Sequence, residues 1–196
     1  MSSSVKSYLI GYNVLAFLCW LGFLFSFLVS GCVLSDTNLL LLNIAQGMAV
    51  LEVVHTVLKW VKSPVGSTVA QVFSRLLVLV LINVFRMEGL ISPLVYAGIV
   101  TVSIAWGITE IVRYSFYALQ LLNALPRWLL WMRYTFFIVL YPVGVSGEWL
   151  IIAAPILMKG FSINPYNLFV LFLLVSYVYY FPVLYKYMWK QRKAKL

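Results

Sequence analysis

Apolar residues fill the chain in six long runs, at about 8–30, 39–60, 69–85, 91–114, 128–158 and 165–189, and polar residues gather in the short stretches between them. The breaks carry helix-stopping chemistry: Ser35-Asp36-Thr37-Asn38, Lys62-Ser63-Pro64, Arg86-Met87-Glu88-Gly89 with Ser92-Pro93, Leu125-Pro126-Arg127, and Lys159-Gly160 with Asn164-Pro165. A helix that crosses a bilayer needs roughly 20 mostly apolar residues, because lipid offers no partner to an unpaired backbone group. The pattern therefore predicts an all-α protein, a polytopic membrane bundle of six transmembrane helices. With no internal repeat and no low-complexity linker, it predicts a single membrane-embedded domain over residues 1–196.

The fifth run is too long for a simple crossing. Its 31 residues, 128–158, would make a helix of about 46 Å against a hydrocarbon core of about 30 Å. Its interior reads Tyr141-Pro142-Val143-Gly144-Val145-Ser146-Gly147-Glu148, where proline removes a helical hydrogen bond and glycine loosens the backbone. Two separate spans would each be about fourteen residues, short for crossing. One span interrupted near Tyr141-Pro142 is expected.

Composition agrees with the pattern. The chain is 64% hydrophobic and 10% charged, with a mean hydropathy of +1.00, more apolar surface than a soluble core of this size can hide. The net charge of +9 does not indicate nucleic acid, since Lys and Arg sit at the ends of apolar runs and in the tail rather than along one stripe. With both termini cytosolic, the inner side receives Lys6, Lys59, Lys62, Arg113, Arg127 and the tail residues Lys186, Lys190, Arg192, Lys193 and Lys195, while the outer loops receive only Arg86 and Lys159. Basic residues collect on the cytoplasmic side of membrane proteins, so this count supports six spans in that orientation. Cys19 and Cys32 are expected to be reduced packing residues, and the first run to be a span rather than a removable signal.

Ionisable groups inside spans are costly and are functional candidates. Here they are Glu52 and His55, Arg75, Glu110 and Arg113, Arg133, and Glu148. Glu52-x-x-His55 has the spacing found in di-iron bundles, but such sites need the motif twice and His55 is the only histidine, so a structural hydrogen bond between helices is expected. A phosphatase is excluded, because the sixth residue after Cys19 is Phe25 and after Cys32 is Asn38, where an Arg would be required. Glu110 and Arg113, three apart on a helix, can pair with Tyr114 nearby. Alternatively Arg113, with Arg75 or Arg133, helps to hold the phosphates of an anionic substrate at the inner interface.

Tyr141 and Glu148 are seven residues apart, nearly two turns, which on a continuous helix puts both on one face about 10 Å apart along the axis. Packing for the tyrosine and an interfacial place for the glutamate are the alternatives that spacing leaves open.

Several strings together are more specific than any pair. They are Leu51-Glu52-Val53-Val54-His55, Ser63-Pro64, Gln71-Val72-Phe73-Ser74-Arg75, Ile104-Ala105-Trp106, Glu110-Ile111-Val112-Arg113-Tyr114-Ser115-Phe116-Tyr117, Trp131-Met132-Arg133-Tyr134, and Leu140-Tyr141-Pro142-Val143-Gly144 followed by Glu148. Over about 40–152 the chain resembles the 3-hydroxyacyl-CoA dehydratase family, also called protein tyrosine phosphatase-like proteins, which includes the plant PASTICCINO2 type. The resemblance implies an endoplasmic-reticulum membrane enzyme that removes water from very-long-chain (3R)-3-hydroxyacyl-CoA in the third step of fatty-acid elongation, alongside elongase and reductase enzymes. It places the catalytic Tyr and Glu on Tyr141 and Glu148. It also leaves Arg75, Arg113, Arg133 and Tyr114 as substrate-binding candidates, and implies no nicotinamide and no metal. The tail Lys193-Ala194-Lys195-Leu196 is an imperfect dilysine retrieval signal, so residence in the reticulum rests on the resemblance. Elimination needs a base beside the thioester and an acid at the hydroxyl, roles that Glu148 and Tyr141 can fill in either order, with backbone N–H groups of 144–147 aimed at the developing enolate if the helix breaks there. An acyl-CoA-binding or regulatory relative without strong turnover, and a transporter, are the other classes, the latter without the inverted repeat it would favour.

Overall fold

A computed structural model describes residues 2–196 as eight helices. They are α1 (Ser3–Val29), α2 (Asp36–Gly47), α3 (Val50–Val57), α4 (Val65–Met87), α5 (Pro93–Leu121), α6 (Arg127–Thr135), α7 (Phe137–Lys159) and α8 (Pro165–Lys195). Taken with α2 and α3 as one crossing, six helices are long and apolar enough to span a membrane, so the predicted six-span bundle holds. The polar stretches between runs act as helix starts. Ser35, Ser92 and Asn164 each accept a backbone N–H three residues on, and Pro93 and Pro165 follow two of them in the first turn, where a missing N–H costs nothing.

Helix α5 is central and packs against α1 and α7. Its crossing with α7 is as close as backbone allows: a Cβ on Gly98 would lie 2.8 Å from Ile151, and one on Gly147 would lie 2.9 Å from Val102. In lipid there is no hydrophobic drive between helices, and such small-residue seams supply contact area instead. Leu15, Phe25, Val80 and Phe172 remain exposed on the outside, facing where lipid would be. The N-terminal end of α1 and the C-terminal end of α8, with the 58–64 and 122–126 connections, share one end of the bundle, here called the basic end.

Two crossings are broken, and neither where the sequence pattern suggests. The interruption of the fifth span falls at Phe136, five residues before Tyr141, and α7 continues through Pro142. The break is mild: Phe136 keeps φ −62° and ψ −26°, and Val139 N–H bonds back three residues to its carbonyl. Pro142 does not stop the helix because the carbonyl it leaves without a partner, that of Ile138, accepts the Tyr185 hydroxyl at 3.2 Å. The backbone of 144–147 is therefore regular helix, and its N–H groups are engaged there rather than aimed at an enolate. The second span breaks at Met48-Ala49, where Glu52 N–H bonds to Ala49 rather than Met48. The Met48 carbonyl takes the Tyr12 hydroxyl at 3.0 Å in its place.

Candidate active site

Because α7 is continuous, Tyr141 and Glu148 lie on one face of it, about 10 Å apart along the axis. Counted from Arg127, Tyr141 lies about 21 Å along α6 and α7 from the basic end. Glu148 is buried, and the glycine seam beside it presses it against α5. Both its oxygens are held: Trp106 Nε1–H donates to Oε1 at 2.9 Å, and the Tyr177 hydroxyl donates to Oε2 at 2.7 Å. A buried carboxylate needs such donors, and two from different helices fix its plane. The Tyr141 ring stacks on Phe181 at 5.1 Å and nearly parallel, with Tyr185 at 6.2 Å. Among the described residues its hydroxyl has no hydrogen-bond partner. Tyr141 and Glu148 thus share a face of α7, and no hydrogen bond joins them.

Trp106 and Tyr177 were not singled out by sequence reasoning. Trp106 stands within a motif string but carries no ionisable group, and Tyr177 is one of several aromatics in an aromatic last run. Only the contact between distant helices, 42 and 29 residues apart, distinguishes them.

Four of the other ionisable residues, Glu52, Arg75, Glu110 and Arg113, form one buried network toward the basic end. Arg75 donates to Glu110 at 2.6 Å. Arg113 donates through Nε to Glu110 at 2.7 Å and grips Glu52 with both terminal nitrogens at 2.7 and 2.6 Å. Tyr114 donates to Glu52 at 2.5 Å. The guanidinium of Arg75 lies 4.8 Å from the Trp106 ring centre, so the network reaches the partner of Glu148. The i, i+3 pairing of Glu110 with Arg113 is present as expected. Glu52 and His55 do bridge helices, but to separate partners: His55 meets the Tyr8 hydroxyl at 3.0 Å and stacks on Trp60.

This arrangement divides the substrate-binding candidates. Two arginines face two carboxylates, so Arg75 and Arg113 are charge-balanced within the bundle, and Tyr114 is 1% exposed with its hydroxyl engaged. Arg133, on α6 at the basic end, has no carboxylate partner among the described residues and lies 5.9 Å from the Tyr117 ring.

The family described as "Protein tyrosine phosphatase-like protein, PTPLA" matches residues 46–196. The nematode Caenorhabditis elegans very-long-chain (3R)-3-hydroxyacyl-CoA dehydratase hpo-8 is 38% identical over 214 aligned positions, covering 98% of this chain and 96% of that protein. Human very-long-chain (3R)-3-hydroxyacyl-CoA dehydratase 2 is 41% identical over 170 positions, 79% of this chain, and the match spans 65% of the human protein's length. Arabidopsis thaliana very-long-chain (3R)-3-hydroxyacyl-CoA dehydratase PASTICCINO 2 is 35% identical over 173 positions, 79% of this chain and 75% of that protein. No solved structure matches the chain.

Proposed function

This chain belongs to the protein tyrosine phosphatase-like family, and on that premise we propose that it is a multi-pass membrane hydro-lyase that converts very-long-chain (3R)-3-hydroxyacyl-CoA to trans-2-enoyl-CoA and water. The observation that carries the site assignment is the buried Glu148 carboxylate, held by Trp106 and Tyr177 on the face that also presents the unpartnered Tyr141 hydroxyl. In the proposed step Glu148 removes the proton from the carbon beside the thioester. That C–H pair forms the new double bond, the C–O bond at the next carbon breaks, and Tyr141 delivers its proton to the departing hydroxide, which leaves as water. Positioned acid and base groups are what such an elimination requires. The held oxygens of Glu148 each keep a lone pair free to accept a proton in a fixed direction. Elongase and reductase enzymes of the same cycle are the proposed partners, and the endoplasmic-reticulum membrane the proposed location.

The CoA head belongs at the basic end. Arg133 there is free for phosphate, whereas Arg75, Arg113 and Tyr114 serve the head group indirectly by holding α3, α4 and α5 in register around it. From that end an extended pantetheine arm reaches inward to Tyr141. Purified protein in detergent, given a 3-hydroxyacyl-CoA, should form the 2-enoyl-CoA; binding without any conversion would leave the acyl-CoA-binding reading in its place.

The basic end carries Lys59, Lys62, Arg127 and the tail, and the opposite loops carry only Arg86 and Lys159, so the basic end is expected to face the cytosol. A tag at either terminus should then be digested by protease added outside sealed microsomes. Protection of the C-terminal tag would reverse the orientation.

A further inference from the structure

The outer side of the α7/α8 pair carries two apolar clefts that meet at a single side chain. One, of about 360 Å3, lies between Pro142, Val145 and Trp149 of α7 and Phe181 of α8. The other, of about 300 Å3, continues from Trp149 toward the far end of the bundle between Leu157 of α7 and Val175 and Leu171 of α8. On α7 the lining positions recur at intervals of three and four, so they form one stripe along the helix. The head of that stripe is tied to the site: Phe181 is the ring on which Tyr141 stacks.

We propose that this stripe is the acyl-chain subsite, a groove open to the bilayer along its side, in which the substrate's hydrocarbon tail runs from Tyr141 past Trp149 to Leu171. The inference rests on the dehydratase reading for the identity of the occupant. From Pro142 to Leu157 the groove follows α7 for about 22 Å. An extended chain advances roughly 1.2 Å per backbone bond, so the groove takes about eighteen carbons. Lipid tails are as apolar as the groove, so it adds little transfer free energy. Its contribution is orientation, holding the first carbons of the tail so that the reacting pair stays between Tyr141 and Glu148. Because the side is open, carbons beyond the far end pass into the bilayer, and the groove imposes no upper limit on length.

Leu171→Trp tests this, since Leu171 is 44% exposed, lies ten residues or about 15 Å along α8 from Phe181, and an indole there fills the far cleft without entering the core. The expected result is a loss of kcat/KM for a 3-hydroxyacyl-CoA of about twenty carbons at least tenfold greater than the loss for one of about eight, whose tail ends nearer Tyr141. Phe172→Trp, on an exposed α8 position outside the lining, should leave that ratio where it was. In a second measurement, an acyl-CoA of about eighteen carbons with a diazirine at its last carbon should label the α8 peptide that contains Leu171 and Val175. Equal losses at both chain lengths, or labelling confined to other helices, would overturn the groove. The label reads occupancy without turnover, so wild-type protein that labels at this peptide yet dehydrates neither substrate overturns the dehydratase reading and upholds the groove.

Discussion

Tyr141→Phe and Glu148→Gln are each expected to lower kcat for dehydration by about 10² to 10⁴, the usual contribution of a positioned acid or base. Both changes are nearly isosteric and remove proton transfer with little change of shape. Tyr141→Phe keeps the stack on Phe181, and Glu148→Gln keeps an acceptor for either Trp106 or Tyr177. Substrate affinity should therefore change little, because the head group and tail make most contacts elsewhere. Groups that act in one elimination are not additive, so the double variant should be little slower than the worse single one. Tyr177→Phe is expected to lose less, roughly ten- to a hundredfold, since Trp106 still fixes one oxygen of the carboxylate and a hydrogen bond to a charged group contributes about 1.5 to 3 kcal/mol. In the Glu148→Gln background Tyr177→Phe should add almost nothing. The measurement is single-turnover dehydration together with acyl-CoA binding on the folded fraction of each variant. A well-folded Tyr141→Phe or Glu148→Gln protein with near-normal turnover would remove the proposed mechanism.

The parts of this architecture that were legible in the sequence are those set by local chemistry. Length and apolarity mark six crossings, and Ser35, Ser92-Pro93 and Asn164-Pro165 mark helix starts because capping is decided within one turn. The parts that were not legible depend on partners far away in the chain. Pro142 marks a break by every local rule, yet Tyr185, 43 residues later, supplies the missing donor to Ile138 and the helix continues. Conversely, Gly47 beside Met48 is a weak local signal among many helical glycines, and what accommodates the break there is the Tyr12 hydroxyl, 36 residues earlier, donating to the Met48 carbonyl. The candidate site divides in the same way. Tyr141 and Glu148 share a face by helical period alone, whereas the donors that hold Glu148 come from α5 and α8 and leave no spacing to read. Arg113 shows both cases at once, with Glu110 three residues away and Glu52 61 residues away.

That double pairing makes Arg113→Gln the change expected to damage the protein most. Arg113 neutralises Glu52 through a two-pronged contact and shares Glu110 with Arg75, in a network whose members are all largely buried. Removing one partner from a buried ion pair costs about 3 to 5 kcal/mol, because the opposite charge stays behind without compensation. Whole domains are stable by only about 5 to 15 kcal/mol, so most of the folded population is at risk. Glu52 would retain the hydroxyl of Tyr114, which can hydrogen-bond but carries no charge to balance it. Arg113→Gln should therefore appear as a large drop in folded yield and thermal midpoint in detergent. Arg113→Lys, which restores charge without the planar fork, should recover part of both. Glu52→Gln together with Arg113→Gln should be milder than Arg113→Gln alone, since no buried charge is then stranded at that contact. Arg133→Gln provides the contrast: with no carboxylate partner to strand, it should leave the thermal midpoint close to wild type and raise KM for acyl-CoA severalfold through the lost phosphate contact. If Arg113→Gln instead stays folded and raises KM with kcat preserved, the phosphate contact belongs to Arg113, and the pairing with Glu52 and Glu110 is what substrate binding displaces.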